Sequence, residues 1–193
     1  MTALTRADLL SLERYAVERP AFRARVIAHK KRRQLALGAH LTLCFEDRLT
    51  IQYQVQEMLR IERIFEPGGI DDELAAYNPL IPDGRNWKAT LLLEYPDVDE
   101  RRAALSVLVG IETRVWFEVA GHARVFAIAD EDLERSRADK TSSVHFLRFE
   151  LDAPMVEALR TGAALSAGVD HPAYAAAIEV GGGLREALLA DLA

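Results

Sequence analysis

Two runs with strand-like alternation, Thr113–Val119 and Ala123–Ala129, lie so close together that a turn at Gly121-His122 must join them. Glycine accepts the positive φ that a type II′ turn needs at its first central position, so the pair reads as a hairpin. A hairpin makes its strands antiparallel. It therefore excludes a purely parallel, doubly wound sheet, which would also need strand–helix alternation throughout. The expected class is α+β: N-terminal helices plus a mainly antiparallel sheet of about five to seven strands packed by helices.

The other patterns fit that frame. Thr5 and Asp8 resemble a helix start, with Leu9, Leu12 and Ala16 on one face. Pro20 is expected to separate this helix from a basic one over Ala21–Arg33. In Leu35–Glu46, alternating Leu35, Leu37, Leu41, Leu43 and Phe45 predict one strand with a buried face. Leu49–Phe65 has helical periodicity and stops at Pro67-Gly68-Gly69. A short helix over Ile70–Tyr77, a proline-containing loop and a strand over Trp87–Tyr95 follow. Asp97 and Glu100 open a helix that Gly110 closes. Asp130–Arg137 reads as a charged helix or turn, Val144–Leu151 as a strand and Asp152–Arg160 as a helix. Leu165–Val169 and Tyr174–Val180 read as strands, before a terminal helix over Leu184–Leu192.

The 193 residues suit one domain, helical over about residues 1–80 and sheet-rich over about 85–193, with strand 35–46 joining the sheet. Half the chain is hydrophobic and 28% is charged, which permits a substantial core and argues against disorder. A net charge of −6 disfavours a dedicated nucleic-acid binder on electrostatic grounds. The start, MTALTRADLL, lacks the apolar run of a signal peptide, and no stretch is long and apolar enough to span a bilayer. A cytoplasmic location is the expectation.

The Leu49–Phe65 helix carries the most pointed polar residue. At about 100° per residue, Ile51, Val55, Met58, Leu59 and Phe65 share a face, and Glu62 projects into it. A buried carboxylate must be paired, hydrogen-bonded or protonated. Glu62 is therefore a candidate acid–base group or ligand-pocket residue, with Gln54, Tyr77 and His145 as polar partners. The competing, preferred reading is a structural anchor met by an arginine from a neighbouring helix.

Seven of the 24 basic residues lie between Arg19 and Arg33, and Arg19, Arg23 and Lys30 cluster in helical projection as a candidate anion-binding set. A solvated helix pairing with the chain's own carboxylates is the plainer alternative. The five histidines show no H-E-x-x-H or H-x-x-E-H spacing. A metal held by Glu62 with His145 or His171 is a minor alternative, and no metal or other cofactor is assigned. Cys44 is the one cysteine, so no intramolecular disulfide forms, and nothing in its flanks lowers its pKa. Gly181-Gly182-Gly183 is a weak phosphate-loop signal, and G-x-S-x-G and Walker-type motifs do not occur.

The stretches LTRADLLSLERY (Leu4–Tyr15), HLTLCFEDRLTIQYQVQEMLRIERIF (His40–Phe65), ELAAYNPLIP (Glu73–Pro82), DKTSSVHFLRF (Asp139–Phe149) and GVDHPAY (Gly168–Tyr174) resemble the bacterial domain-of-unknown-function family 3501. The resemblance spans nearly the whole chain and supplies no activity. It implies genomic company with rubrerythrin-like and iron–sulfur oxidoreductase proteins, hence an association with oxidative stress.

Three functional expectations result. The first is a non-enzymatic accessory or interaction module serving redox proteins, with a homodimer as one arrangement. The second is an enzyme or small-ligand binder with a pocket around Glu62. The weakest is anion or nucleic-acid binding through residues 19–33. Whether the chain is an enzyme is left open.

Overall fold

A computed structural model describes residues 2–192 except 132, 134 and 138. In chain order the elements are α1 (Leu12–Lys31), β1 (Gln34–Leu37), β2 (Leu41–Phe45), α2 (Arg48–Glu62) and α3 (Pro67–Tyr77). Next come β3 (Asn86–Leu93), α4 (Val98–Val107), β4 (Val115–Val119), β5 (Val125–Phe126) and β6 (Ile128–Ala129). The chain finishes with β7 (Val144–Glu150), α5 (Ala153–Arg160), β8 (Leu165–His171), β9 (Tyr174–Glu179) and α6 (Gly182–Ala190). The class is α+β.

The strands divide between two sheets, ordered β1-β2-β3-β7-β6 and β5-β4-β8-β9. Every named pair is antiparallel. The sheets are linked along both margins. On one, the chain passes directly from β5 to β6, and the Ala127 N–H donates to the Val115 carbonyl at 2.9 Å. On the other, the Tyr174 hydroxyl donates to the Leu37 carbonyl at 2.7 Å and accepts from the His40 N–H at 3.0 Å.

The inner faces enclose the main core. Phe117 sits at its centre, with the rings of Phe149, Trp87 and Phe45 at 4.8, 5.0 and 5.9 Å in edge-on geometry. Such aromatic pairs contribute about 0.5–1.5 kcal/mol each beyond burial. Leu105 of α4, Met155 and Leu159 of α5 and Leu188 of α6 join the same core. The indole N–H of Trp87 donates to the Leu188 carbonyl at 2.9 Å, so α6 is tied to β3. A second cluster, built on Ile51, Val55 and Leu59 of α2, packs against Leu74 of α3. A third joins Tyr15, Phe22 and Val26 of α1 to Leu49 and Tyr53.

Several expected boundaries move, each for a local reason. Pro20 does not end a helix: α1 runs through it. Proline inside a helix costs about 3 kcal/mol. Here the ring is exposed, while Tyr15 and Phe22 are buried on either side of it. The expected strand Leu35–Glu46 is a hairpin. Leu37 pairs with Leu41 across Gly38, whose φ is +74°. The three intervening residues keep Leu37 and Leu41 in the same parity, so two strands read as one. Gly121 lies at the third position of its turn, not the second. The His122 N–H donates to the Val119 carbonyl at 2.9 Å, and the positive φ of +87° falls at Gly121. The helix or turn expected over Asp130–Arg137 includes Asp132 and Glu134, outside the described residues.

Candidate functional site

The outward faces of the central strands explain why this sheet is covered on both sides. Leu92 of β3 and Val144 and Phe146 of β7 are apolar on the face opposite the core, where a solvated sheet would carry polar residues. Helical elements cover that face incompletely and leave a cleft of about 310 Å³. Its floor includes Cys44, Thr90 and Phe146, one cross-strand row across β2, β3 and β7. Ile51 and Gln54 of α2, Tyr77 of α3, Leu80 and Lys30 of α1 complete the walls. An adjoining cavity of about 430 Å³ shares Leu80 and Phe146 and adds Pro79, Lys88, Glu131 and Arg148.

The polar groups of the cleft are of two kinds. Glu46 is engaged internally, accepting from the Thr50 hydroxyl at 2.6 Å and the Thr90 hydroxyl at 2.9 Å. Burial, aided by the Glu46 carboxylate, pushes the Cys44 thiol above its ordinary range, which disfavours the nucleophilic thiolate. By contrast, the Gln54 amide and the Tyr77 hydroxyl have no hydrogen-bond partner among the described residues, and half-buried Lys30 has no carboxylate within 4.0 Å. An apolar cavity with a few unengaged polar groups is the usual form of a small-molecule site.

Glu62 is not part of it. The α2 helix ends there because Arg63 adopts a left-handed conformation (φ +56°), and the Ile64 N–H closes back on the Leu59 carbonyl. Glu62 is exposed, and Phe65, beyond the helix, is 70% exposed. The buried-carboxylate expectation is therefore corrected. The polar anchor of α2 is Glu57: Arg19 grips both its oxygens at 2.8 Å, and the Tyr15 hydroxyl donates at 2.6 Å. Arg19 chiefly holds the Glu57 carboxyl down at about 2.

The basic set separates in the same way. Arg19 belongs to Glu57 and Lys30 to the cleft, while Arg23 is exposed. Arg33 turns inward, 3% exposed, and pairs with Asp191 and with Asp47 at 3.5 Å. Asp47 also meets His29 at 2.5 Å. Arg19 and Arg33 serve internal carboxylates, and the set does not form one anion-binding face.

His145 is fully buried and lies away from the cleft, on the core-facing side of β7. Its Nδ1 is 2.6 Å from Asp130, and its Nε2 is 2.9 Å from the Thr141 hydroxyl. That order mimics a nucleophile–base–acid relay. However, Nε2 is shared with the Ser142 carbonyl at 3.1 Å, and the Thr141 hydroxyl is shared with Ser136 at 3.0 Å and Glu112 at 3.4 Å. Thr141 is itself only 2% exposed. The network instead fastens Asp130, whose φ is +51°, and Glu112, bonded by Ser136 at 2.8 Å. His171 is held by the Val109 carbonyl and the Ala173 N–H. Neither histidine meets Glu62. Among the described residues, no three His, Cys, Asp or Glu side chains are grouped to hold a metal.

Of the residues singled out in the sequence, Gln54, Tyr77 and Lys30 come together. Sequence reasoning missed Thr90, Lys88 and Arg148. The available signal was parity: Leu91-Leu92-Leu93 and Val144–Phe149 are apolar on both faces, which requires cover on both.

Comparisons with known proteins add a frame without an activity. A family model described as "Protein of unknown function (DUF3501)" matches residues 3–192. A crystal structure of a novel protein of unknown function from Burkholderia pseudomallei K96243 is similar, at 55% identity and a TM-score of 0.93, with both chains covered completely. No curated protein matches significantly. Among the described residues, no helix is long and apolar enough to cross a membrane.

Proposed function

Since the chain belongs to the DUF3501 family of proteins of unknown function, we propose from the geometry that it binds a small amphipathic anion in the cleft over β2, β3 and β7. The observation that carries this reading is the half-buried ammonium of Lys30, with no carboxylate within 4.0 Å among the described residues, in a cleft where Gln54 and Tyr77 also have no hydrogen-bond partner among them. Lys30 pairs with a carboxylate or phosphate, and the amide and phenol fix its orientation. Ile51, Leu92 and Phe146 receive the apolar body.

Binding fits better than thiol or carboxylate chemistry at this spot, since the Cys44 thiol is pushed up and Glu46 is occupied by two threonines. The accessory role toward redox proteins rests on the family resemblance, and no feature of the cleft argues for it separately.

Anilinonaphthalene sulfonate, an apolar anion, is a direct probe. Lys30→Met is expected to weaken its binding about tenfold, a change of roughly 1.4 kcal/mol. Lys31→Met, on the exposed neighbour, should leave it unchanged. Equal affinities for the two variants would count against the reading.

A further inference from the structure

Lysine is scarce here: four lysines stand against 20 arginines. Lys31 and Lys140 are exposed, whereas Lys30 and Lys88 are half-buried and line the two adjoining cavities. Lys88 breaks a local rule of sheet construction. In register it lies directly opposite Arg148, and like charges so placed on antiparallel strands are destabilising.

Arg148 is compensated. Glu131 contacts it through both oxygens at 2.8 Å, and Glu150 accepts at 2.6 Å. Lys88 has no carboxylate within 4.0 Å among the described residues, and its ammonium donates only to the Pro79 carbonyl. Burial first, and Arg148 second, push its pKa below the ordinary 10.5. Desolvation in a largely apolar cavity favours the unprotonated form of a lysine, which is the nucleophile.

We propose that Lys88 captures the carbonyl carbon of a small aldehyde or ketone as an imine in the cavity bounded by Pro79, Leu80, Phe146 and Arg148. This inference rests on the reading of these joined cavities as a ligand site and names the class of compound held there. The unprotonated Lys88 nitrogen attacks the carbonyl carbon, forming the C–N bond while the C=O electron pair moves to oxygen. The nitrogen gives up a proton and the oxygen gains one, yielding a carbinolamine. The C–O bond then breaks, the oxygen departs as water, and the C=N bond forms without any change of oxidation state. Solvent water reaching the cavity takes up the nitrogen's proton and returns it to the departing oxygen, since both Glu131 oxygens are held by Arg148.

Butanal with sodium cyanoborohydride tests this, since reduction fixes an imine as a stable secondary amine. Peptide mapping is expected to find Lys88 alkylated about tenfold faster than Lys31 or Lys140. Lys88→Arg should remove that fast phase. Leu80→Trp, which fills the cavity and leaves the lysine, should slow it. Labelling of Lys88 no faster than of the exposed lysines, or undiminished by Leu80→Trp, overturns the proposal. Lys30-dependent dye binding with no preference for Lys88 would defeat this inference alone; fast Lys88 labelling without dye binding would defeat only the anion site.

Discussion

Glu57 and Glu62 both belong to α2, yet their surroundings give them opposite weight. Glu57 accepts from Arg19, Tyr15 and Arg60, whereas Glu62 is exposed at the last helical residue. The Glu57 carboxyl is depressed from 4.5 to about 2, so its stabilising contribution is present above its unfolded pKa and is lost as pH falls through its folded value. Glu57→Gln is expected to lower stability near neutrality by about 1–3 kcal/mol, the deficit shrinking between pH 4.5 and 2. Glu62→Gln should stay within about 0.5 kcal/mol, as for other exposed sites. Urea denaturation of both variants checks this; equal losses would contradict it. Sequence projection identified α2 and its need for a polar anchor, but not which glutamate. The left-handed Arg63 that ends the helix has no clear sequence signal, and an end shifted by one turn moves a side chain from partner to solvent.

At the scale of elements, parity was legible, as was the turn at Gly121, but the turn at Gly38 was not. The alternation of Leu35 through Phe45 matches the buried face residue by residue, yet a three-residue turn preserving that parity hides a hairpin. Proline at position 20 was read by its local cost, which burial of Tyr15 and Phe22 outweighs. The expected pocket centres on Glu62, and sequence pattern alone does not locate this cleft, because its floor depends on registers between strands distant in sequence. Gly168 of β8 shows what such register demands. It lies opposite Trp116, and an added Cβ would stand 2.3 Å from the indole Cζ2 and 2.7 Å from the Ala176 carbonyl oxygen. The indole could turn only by leaving Arg124, stacked at 3.9 Å, and the Ala176 backbone cannot yield without loosening β8–β9. Gly168→Ala should therefore cost about 1–3 kcal/mol or more, as overpacking does. A lowered melting temperature with an altered near-UV signal from Trp116 is the expected result; an unchanged melt would show that β9 gives way freely.

At the scale of the whole molecule, Arg33 joins segments far apart in the chain, and no local pattern could identify it because its partner Asp191 lies 158 residues away. Arg33 leaves the end of α1, donates to the Phe45 and Glu46 carbonyls at 3.1 Å, and pairs with Asp47, the N-cap of α2, and with Asp191 after α6. His29 approaches the same Asp47. One guanidinium thus serves two buried carboxylates, an unequal arrangement. Burial, only partly opposed by Arg33, raises the Asp191 pKa from 3.8 to about 6. The sign follows from linkage: the folded state retains a proton that the unfolded chain has lost, so stability falls as pH rises between 3.8 and about 6. Asp191→Asn keeps an oxygen for Arg33 and removes that ionisation. The variant should match the parent near pH 4 and exceed its stability by on the order of 2 kcal/mol above pH 6. Arg33→Met should instead lose about 3–5 kcal/mol at neutrality, since it strands Asp191 and leaves Asp47 only His29 and the Thr50 N–H. Denaturant titrations from pH 4 to 7 separate these outcomes. If the Asp191→Asn curve runs parallel to the parent throughout, Asp191 is ionised across the range and Arg33 compensates its burial completely.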